Sequence, residues 1–333
     1  LKRFDESDAR IRPNPRGSRP RSKRRPEHAD AFTGWVIAVD RGRYLVHGVG
    51  DEDATVTAIQ ARELGKRAIV VGDRVRVVGD VSGEEGSLAR IVGREKRRCV
   101  LRRSADDSDP TERVVVANAD RLGIVISLAE PEPNRRLIDR CLVAAFDAGI
   151  EGLLVLTKTD LADPSPLREA YEPLGVTVIA TGFEGDRIDG LSHLRKALSG
   201  GTTVLIGSSG VGKSTLVNAL VPGSDRATGG VNAVTGRGRH TSSSAIALKI
   251  PGTGWIIDTP GVRTFGLGHV KQAHLMNAFP EVAQAATDCA RGCPHQGDGD
   301  GCSLDAWADT AERKMRLDSI RRLLASRIGT EPL

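Results

Sequence analysis

Thr203-Val204-Leu205-Ile206-Gly207-Ser208-Ser209-Gly210-Val211-Gly212-Lys213-Ser214-Thr215 is the stretch that decides the fold. Four apolar or β-branched residues read as a buried strand. A glycine-rich turn ending in Lys-Ser follows, and Thr215 to Leu220 reads as a helix. Strand, loop and helix in that order are the context a phosphate-binding loop requires. Its glycines free backbone N–H groups to wrap phosphates, Lys213 reaches the outer phosphates, and Ser214 can ligate Mg2+.

Downstream, Trp255 to Ile257 forms a strand ending at Asp258-Thr259-Pro260-Gly261. Its carboxylate is expected at the same sheet edge as the phosphate loop, where Asp258 suits Mg2+ directly or through water. Gly261 can offer its N–H to a γ-phosphate. Upstream, strand Leu153 to Leu156 runs into Thr157-Lys158-Thr159-Asp160. This tetrapeptide resembles the guanine-recognition motif whose usual first residue is Asn. Asp160 would accept from the N1–H and 2-amino group of guanine, and Lys158 would lay its stem along the base. Thr157 removes one side-chain amide, which bears on a secondary contact and leaves the acid in place. Alone, the tetrapeptide reads equally as a helix-entry turn. The nucleotide-binding set is thus Thr157, Lys158, Thr159, Asp160, Gly207, Ser208, Ser209, Gly210, Val211, Gly212, Lys213, Ser214, Thr215, Asp258 and Gly261.

Ordinary GTPases place the phosphate loop first and the guanine motif last; here Asp160 precedes Lys213, which precedes Asp258. That order describes a circular permutation. A site assembled from strand ends in space survives it. Other strands and helices alternate from about Asp106, the pattern of a mostly parallel sheet. Leu122 to Ile126 is a strand, a helix capped by Asn134 ends at Gly149, Ser165-Pro166 opens a short helix, and Val176 to Ile179 is a further strand. Ala245 to Ile250 and Gly254 to Ile257 form a hairpin.

Cys289, Cys293, His295 and Cys302 are spaced Cys-x3-Cys-x-His-x6-Cys. Three thiolates and one imidazole complete a tetrahedral structural Zn2+ site with no open position. Cys99 and Cys141 read as small buried hydrophobes. Thr310 to Arg327 reads as an amphipathic helix with Arg313, Lys314, Arg316, Arg321, Arg322 and Arg327 on its polar side. That side fits RNA, or equally a packed helix with solvated arginines.

Thr33 to about Arg103 reads as short strands and turns: Trp35 to Val39, Tyr44 to Val46, Thr55 to Ile59, Ala68 to Val71, Arg74 to Val78 and Leu88 to Val92. Such a run suggests an OB-fold-like barrel. Its basic exit, from Arg90 to Arg103, suits nucleic acid or a solvated edge strand. Of 48 Lys+Arg and 43 Asp+Glu, residues 1–30 hold ten and five, so the whole excess of +5 sits on this proline-rich tail. The tail is expected to be disordered, as a polyanion-binding arm or a solubilising one. Aromatics at 3% disfavour a large aromatic-lined cavity. No apolar run approaches a membrane span and Leu1 to Arg10 has no signal-peptide core, so a cytoplasmic protein with reduced cysteines is expected.

The combination resembles the RsgA family, bacterial small-ribosomal-subunit-dependent GTPases, over nearly all of residues 33 to 327. Similar stretches include Val71-Gly72-Asp73-Arg74-Val75, Ala117-Asn118-Ala119-Asp120, Ile138-Asp139-Arg140, Gly238-Arg239-His240-Thr241 and Asp258-Thr259-Pro260-Gly261-Val262. The resemblance implies GTP hydrolysis on the small subunit late in its maturation. It makes Thr241 the switch threonine that meets Mg2+ beside Ser214 and Asp258, and puts a second guanine-contacting loop near Ala180-Thr181-Gly182. Many GTPases carry a Gln after the glycine of Asp-x-x-Gly to orient the attacking water; here that position is Val262, so His240 is the candidate, with rRNA contact or loop packing as its other reading.

The expected fold is multidomain α/β: a basic tail (1–32), an OB-fold-like RNA-binding barrel (33–105), a circularly permuted P-loop GTPase domain (106–268) and a zinc-binding helical module (269–333). The expected function is a GTP phosphohydrolase, monomeric, binding GTP, GDP, the small ribosomal subunit and its rRNA, with one Zn2+ and with Mg2+ accompanying GTP, and with no membrane partner. A nucleotide-gated RNA-binding module is the alternative. A metabolic kinase fits less well, for want of an acceptor-substrate domain.

Overall fold

The computed structural model describes residues 28–51, 53–64, 69–103, 113–185, 187–224, 245–259, 267, 270, 272–297 and 301–328. Alternating apolar residues build the first unit. β1 (Phe32–Asp40), β2 (Arg43–His47), β3 (Thr55–Gln60), β4 (Arg74–Gly79) and β5 (Ala89–Arg94) bury Val36, Val46, Val56, Val75, Val77 and Ile91 completely. The strands run in the order β1-β2-β3-β5-β4, and β4 pairs back onto β1, so the sheet closes into a barrel with no free edge.

The strand expected at Ala68 to Val71 does not form among its described residues. The backbone there serves a seam between units instead of the barrel ladder. Val70 N–H donates to Asp73 Oδ2 at 2.8 Å, and the Val71 carbonyl accepts from Ala117 N–H at 3.0 Å. Gly72 N–H donates to the Val36 carbonyl, while its own carbonyl accepts from Asn118 Nδ2 at 2.8 Å. A Cβ on Gly72 would sit 1.9 Å from the Ala117 carbonyl oxygen, and its φ is +91°, so only glycine fits. Asp73, fully buried, receives both ends of the Arg97 guanidinium at 2.7 and 2.8 Å.

β6 (Val100–Arg103) and β7 (Arg113–Ala117) pair as a separate antiparallel ribbon. Beyond it come β8 (Arg121–Ser127), α1 (Arg135–Ala148), β9 (Glu151–Thr157), α2 (Ser165–Tyr171) and β10 (Thr177–Ala180), then a small hairpin of β11 (Gly182–Glu184) and β12 (Arg187–Asp189). The chain continues through α3 (Leu191–Ala197), β13 (Thr202–Ile206), α4 (Lys213–Leu220), β14 (Ile246–Ile250) and β15 (Gly254–Asp258). Asn134 caps α1 by accepting from Leu137 N–H at 2.9 Å, and Gly149 ends it in the left-handed region, as expected.

The sheet order is β10-β9-β8-β13-β15-β14, parallel except for β14. Both faces are buried, which explains the unbroken apolar strands. Ile124, Ile126, Leu154, Leu156, Val204 and Ile206 point to the α1 side, and Val125, Leu153, Val155 and Leu205 to the α3 and α4 side. From β8 the chain builds outward to β10 and then returns to β13 on the other flank. The reversal lies between β8 and β13, the position where open α/β sheets form ligand crevices.

β14 also pairs with barrel strand β1 through Ala38 and Ile246, joining both units into one eleven-stranded sheet. Trp35 meets Trp255 edge-on at 4.8 Å, His47 meets Trp255 at 5.0 Å, and Lys249 pairs with Asp53 at 2.8 Å across this joint.

The C-terminal module comprises α5 (Gln272–Asn277), α6 (Pro280–Ala285), α7 (Ser303–Trp307) and α8 (Ala311–Ile328). Leu317, Ile320, Leu323 and Leu324 of α8 share one core with α1. The basic side of α8 is largely engaged within the molecule. Arg313 pairs with Asp309, Arg316 with Glu281, Arg321 with Asp305, and Arg322 with fully buried Asp139 at 3.1 Å. Arg322 also donates to the Ala170 carbonyl at 3.2 Å and lies over the Tyr171 ring. No described helix is long and apolar enough to cross a membrane.

Candidate nucleotide-binding site and metal centre

The chain leaving the carboxyl ends of the parallel strands β9, β10 and β13 lines one cavity of about 610 Å3. The phosphate loop rises from β13. Gly210 and Gly212 hold φ of +84° and +88°, and the chain turns at Gly212 directly into α4. The first N–H groups of a helix have no intrahelical acceptor, so this corner presents donors and the positive end of the helix dipole to an anion. Ser208, Ser209, Gly210, Gly212, Lys213, Ser214 and Thr215 line the cavity.

Asp258 pairs in register with Leu205, which sets it level with the start of the loop. Its carboxylate is almost completely buried and receives the Lys213 ammonium, which also donates to the Thr259 carbonyl at 2.8 Å. Lys213, on the cavity wall, and the buried Asp258 therefore meet across 45 residues of chain. Thr259 is anchored in turn, its hydroxyl donating to the Leu205 carbonyl at 2.8 Å.

At the other end, Thr157 and Lys158 line the cavity, Lys158 with φ of +59° and its ammonium on the Glu130 carbonyl. The Thr157 hydroxyl, buried, donates to the Val211 carbonyl at 2.7 Å. Thr159 N–H donates to the Thr181 carbonyl at 3.2 Å, and Asp160 Oδ1 accepts from Phe183 N–H at 3.0 Å. The segment expected to hold a second guanine-contacting loop thus lies against the tetrapeptide. Thr181 and Gly182 both line the cavity.

Sequence reasoning missed three lining residues, Phe183, Ile188 and Leu216. The signal was present: Phe183 and Ile188 flank the turn at Gly185-Asp186, a hairpin signature. Of the expected site residues, His240, Thr241 and Gly261 lie outside the described residues, as do residues 1–27 of the basic tail.

Cys289, Cys293, His295 and Cys302 come together with their ligand atoms all within 4.8 Å of one another. Cys289 and Cys302 sulfurs are 3.9 Å apart, and His295 Nδ1 lies 3.5 and 3.8 Å from them. A tetrahedral ion with Zn–S near 2.3 Å and Zn–N near 2.0 Å requires separations of about 3.8 and 3.6 Å, so the cluster fits one. Burial raises the Cys289 thiol, but hydrogen bonds from the Ser303 hydroxyl and N–H and from Cys302 and Cys293 outweigh it and hold the thiol below its ordinary value. Burial, then the Arg321 guanidinium, lowers His295, favouring the neutral imidazole a metal needs. Ser303 Oγ lies 2.8 Å from Cys289 Sγ and 2.7 Å from the Ala285 carbonyl, and Arg321 Nε donates to the His295 carbonyl at 3.1 Å. By contrast Cys141 is fully buried among apolar groups, and burial pushes its thiol up to about 12.

A strand-end phosphate loop, a buried acid on the neighbouring strand and an upstream guanine-type tetrapeptide now occupy one crevice. Residues 94–268 match the RsgA GTPase family profile. The chain belongs to the RsgA GTPase family. It is 40% identical over 272 residues to the Small ribosomal subunit biogenesis GTPase RsgA of Pseudomonas aeruginosa strain UCBPP-PA14, covering 79% of this chain and 77% of that protein. The protein of that name from Azotobacter vinelandii is 39% identical over 267 residues, covering 78% and 75%. Two solved structures share the fold. YjeQ from Thermotoga maritima superposes with a TM-score of 0.64 at 24% identity, covering 90% of this chain and all of that one. YloQ, described as a circularly permuted GTPase, gives 0.64 at 22% identity, covering 93% and 99%. As an RsgA-family member the protein is a GTPase, and the permuted motif order read from the sequence belongs to its fold.

Proposed function

We propose that this GTPase acts in small-ribosomal-subunit biogenesis in the cytoplasm, as a monomer that binds the subunit and its rRNA late in maturation and hydrolyses GTP to GDP with subunit-stimulated turnover. The observation that carries the reading is 40% identity over 272 residues to proteins named for that role. In this reading residues 33–105 are an RNA-binding barrel, 106–268 the GTPase domain and 269–333 the zinc module, with residues 1–32 a basic tail.

The phosphate-loop N–H groups and Lys213 hold the phosphates, and Asp160 accepts from the guanine edge. Lys213 and Asp258 are paired with each other at the level of the loop, and in this reading phosphate oxygens and a divalent cation would replace each as the other's partner. Ser214, Asp258 and Thr241 hold Mg2+, which when bound neutralises charge developing on the phosphates. Gly261 would offer its N–H to the γ-phosphate. Val262 cannot orient water, and His240 supplies that function in the subunit-bound state. Cys289, Cys293, His295 and Cys302 hold one structural zinc, whose binding contributes folding energy to a small module.

The test is GTP turnover with and without purified small subunits, on the parent chain and on His240→Ala, with GTP binding and subunit binding measured separately. Stimulated turnover in the parent, lost in the variant while both bindings persist, is expected. Binding to the subunit with no stimulation would instead favour a nucleotide-gated RNA-binding module.

A further inference from the structure

The hairpin β11–β12 carries the wall of the nucleotide cavity beyond Thr181 and Gly182, past the residues expected of the second guanine-contacting loop. It leaves β10 at Thr181 and returns through Asp189, with Phe183 paired directly opposite Ile188. Directly opposed residues of an antiparallel pair share a face, and both of these side chains line the cavity. Phe183 is nevertheless 54% exposed. A phenyl ring left open on the wall of a cavity, and not packed into the core beside it, offers a flat apolar surface to an occupant.

The hairpin is fixed to the residue expected to read the base. Phe183 N–H donates to Asp160 Oδ1 at 3.0 Å, and that single bond leaves the carboxylate with further accepting capacity. A Cβ on Gly182 would stand 2.4 Å from Thr159 Oγ1 and 3.0 Å from the Asp160 nitrogen, so glycine there lets the hairpin approach the tetrapeptide this closely. The Lys158 stem lines the same end of the cavity. An acceptor for a polar edge and an apolar surface for a planar face are thus parts of one unit, the two halves of what recognises a purine base.

We propose that the β11–β12 hairpin is a nucleobase clamp, in which the Phe183 ring, backed by Ile188, covers a face of the guanine whose edge Asp160 accepts. The inference rests on the assignment of Asp160 as the guanine acceptor and adds to it the residue that contributes affinity through the face of the base. The clamp touches no reacting atom. Its loss therefore raises KM and leaves kcat near the parent value, the signature of binding shared by ground and transition states.

The experiment is calorimetric titration of the full chain with GDP and, separately, with inorganic tripolyphosphate, which has phosphates and no base. Variants are Phe183→Ala, Phe183→Trp and Asp160→Asn. Removing an aromatic partner from a stacked base weakens binding by roughly five- to a hundredfold. Phe183→Ala is expected to weaken GDP binding at least tenfold and leave tripolyphosphate binding unchanged. Phe183→Trp, keeping an aromatic face, is expected to stay within about threefold of the parent for GDP. A GDP affinity for Phe183→Ala within twofold of the parent would overturn the clamp, as would a parallel loss for tripolyphosphate. Asp160→Asn separates the two levels: if it weakens GDP while Phe183→Ala does not, the clamp alone fails. If Asp160→Asn binds GDP as the parent does, the guanine assignment itself fails and the clamp with it.

Discussion

The Thr157 hydroxyl donates to the carbonyl of Val211 at 2.7 Å, tying the end of β9 to the phosphate loop across 54 residues of chain. Thr in place of the usual Asn therefore keeps a donor at this position. Thr157→Val preserves the shape and removes the donor, leaving a buried carbonyl without this partner at a cost of about 1–3 kcal/mol. GDP affinity should fall about tenfold and the melting temperature by a few degrees. Thr157→Ser, which retains the hydroxyl, should stay close to the parent. Equilibrium titration with GDP and thermal unfolding check both.

How much of this was legible in the sequence follows from the range of the interactions. The phosphate loop, the Asn134 cap and the Cys/His spacing are local patterns, and each is realised where the residues suggested. The convergence of Asp160, Lys213 and Asp258 followed from strand ends, since parallel strands put their carboxyl termini on one edge. What escaped was long-range. Nothing near Arg322 announces a partner at Asp139, 183 residues away. An arginine-rich helix therefore read as an open basic face, whereas its guanidinium forks are taken up by carboxylates and carbonyls. Ala68 to Val71 reads as a strand by composition, but the Val70 N–H is committed to the Asp73 carboxylate and the Val71 carbonyl to Ala117. The β11–β12 hairpin left only its two turn residues as a signal, because its strands have three residues each, too short for alternation to stand out.

The aromatic joint between barrel and GTPase unit should behave as a coupled pair. Trp35 and Trp255 meet edge-on at 4.8 Å, a geometry worth about 0.5–1.5 kcal/mol beyond the area it buries. A double-mutant cycle of Trp35→Ala and Trp255→Ala, read by chemical denaturation, should give a coupling energy in that range. Ile246, whose strand carries this joint, follows closely on the segment holding His240 and Thr241. Trp35→Ala should therefore reduce subunit-stimulated turnover more than it reduces GDP affinity.

The metal centre should carry one zinc per chain, measured by elemental analysis of protein purified without chelators. Ser303 is the sharper test, because its hydroxyl supports Cys289 without being a ligand. Removal of such a supporting hydrogen bond commonly costs ten- to a hundredfold in metal affinity. Ser303→Ala should retain stoichiometric zinc yet release it to a chelator at least tenfold faster than the parent. Equal release rates would mean that the Cys289 contact does not support the ion.

Salt dependence of ribosomal-subunit binding should distinguish free from committed cations. Arg90 and Lys96 are exposed on the barrel side, whereas Arg321 is taken up by Asp305 and the His295 carbonyl. Each phosphate contact that a cation makes adds about 0.7–0.9 to the slope of log affinity against log salt. Arg90→Gln and Lys96→Gln should each lower that slope by somewhat less than one, with little change in stability. Arg321→Gln should do the reverse, lowering the melting temperature and leaving the slope unchanged, because its charge is already balanced inside the molecule. Deleting residues 1–30 removes ten cations and five anions, and should flatten the slope further if the tail touches phosphates. Binding measured across a salt series on these four variants, beside the parent, assigns the electrostatic footprint. A slope that drops for Arg321→Gln and not for Arg90→Gln or Lys96→Gln would move the RNA-facing surface from the barrel to the last helix.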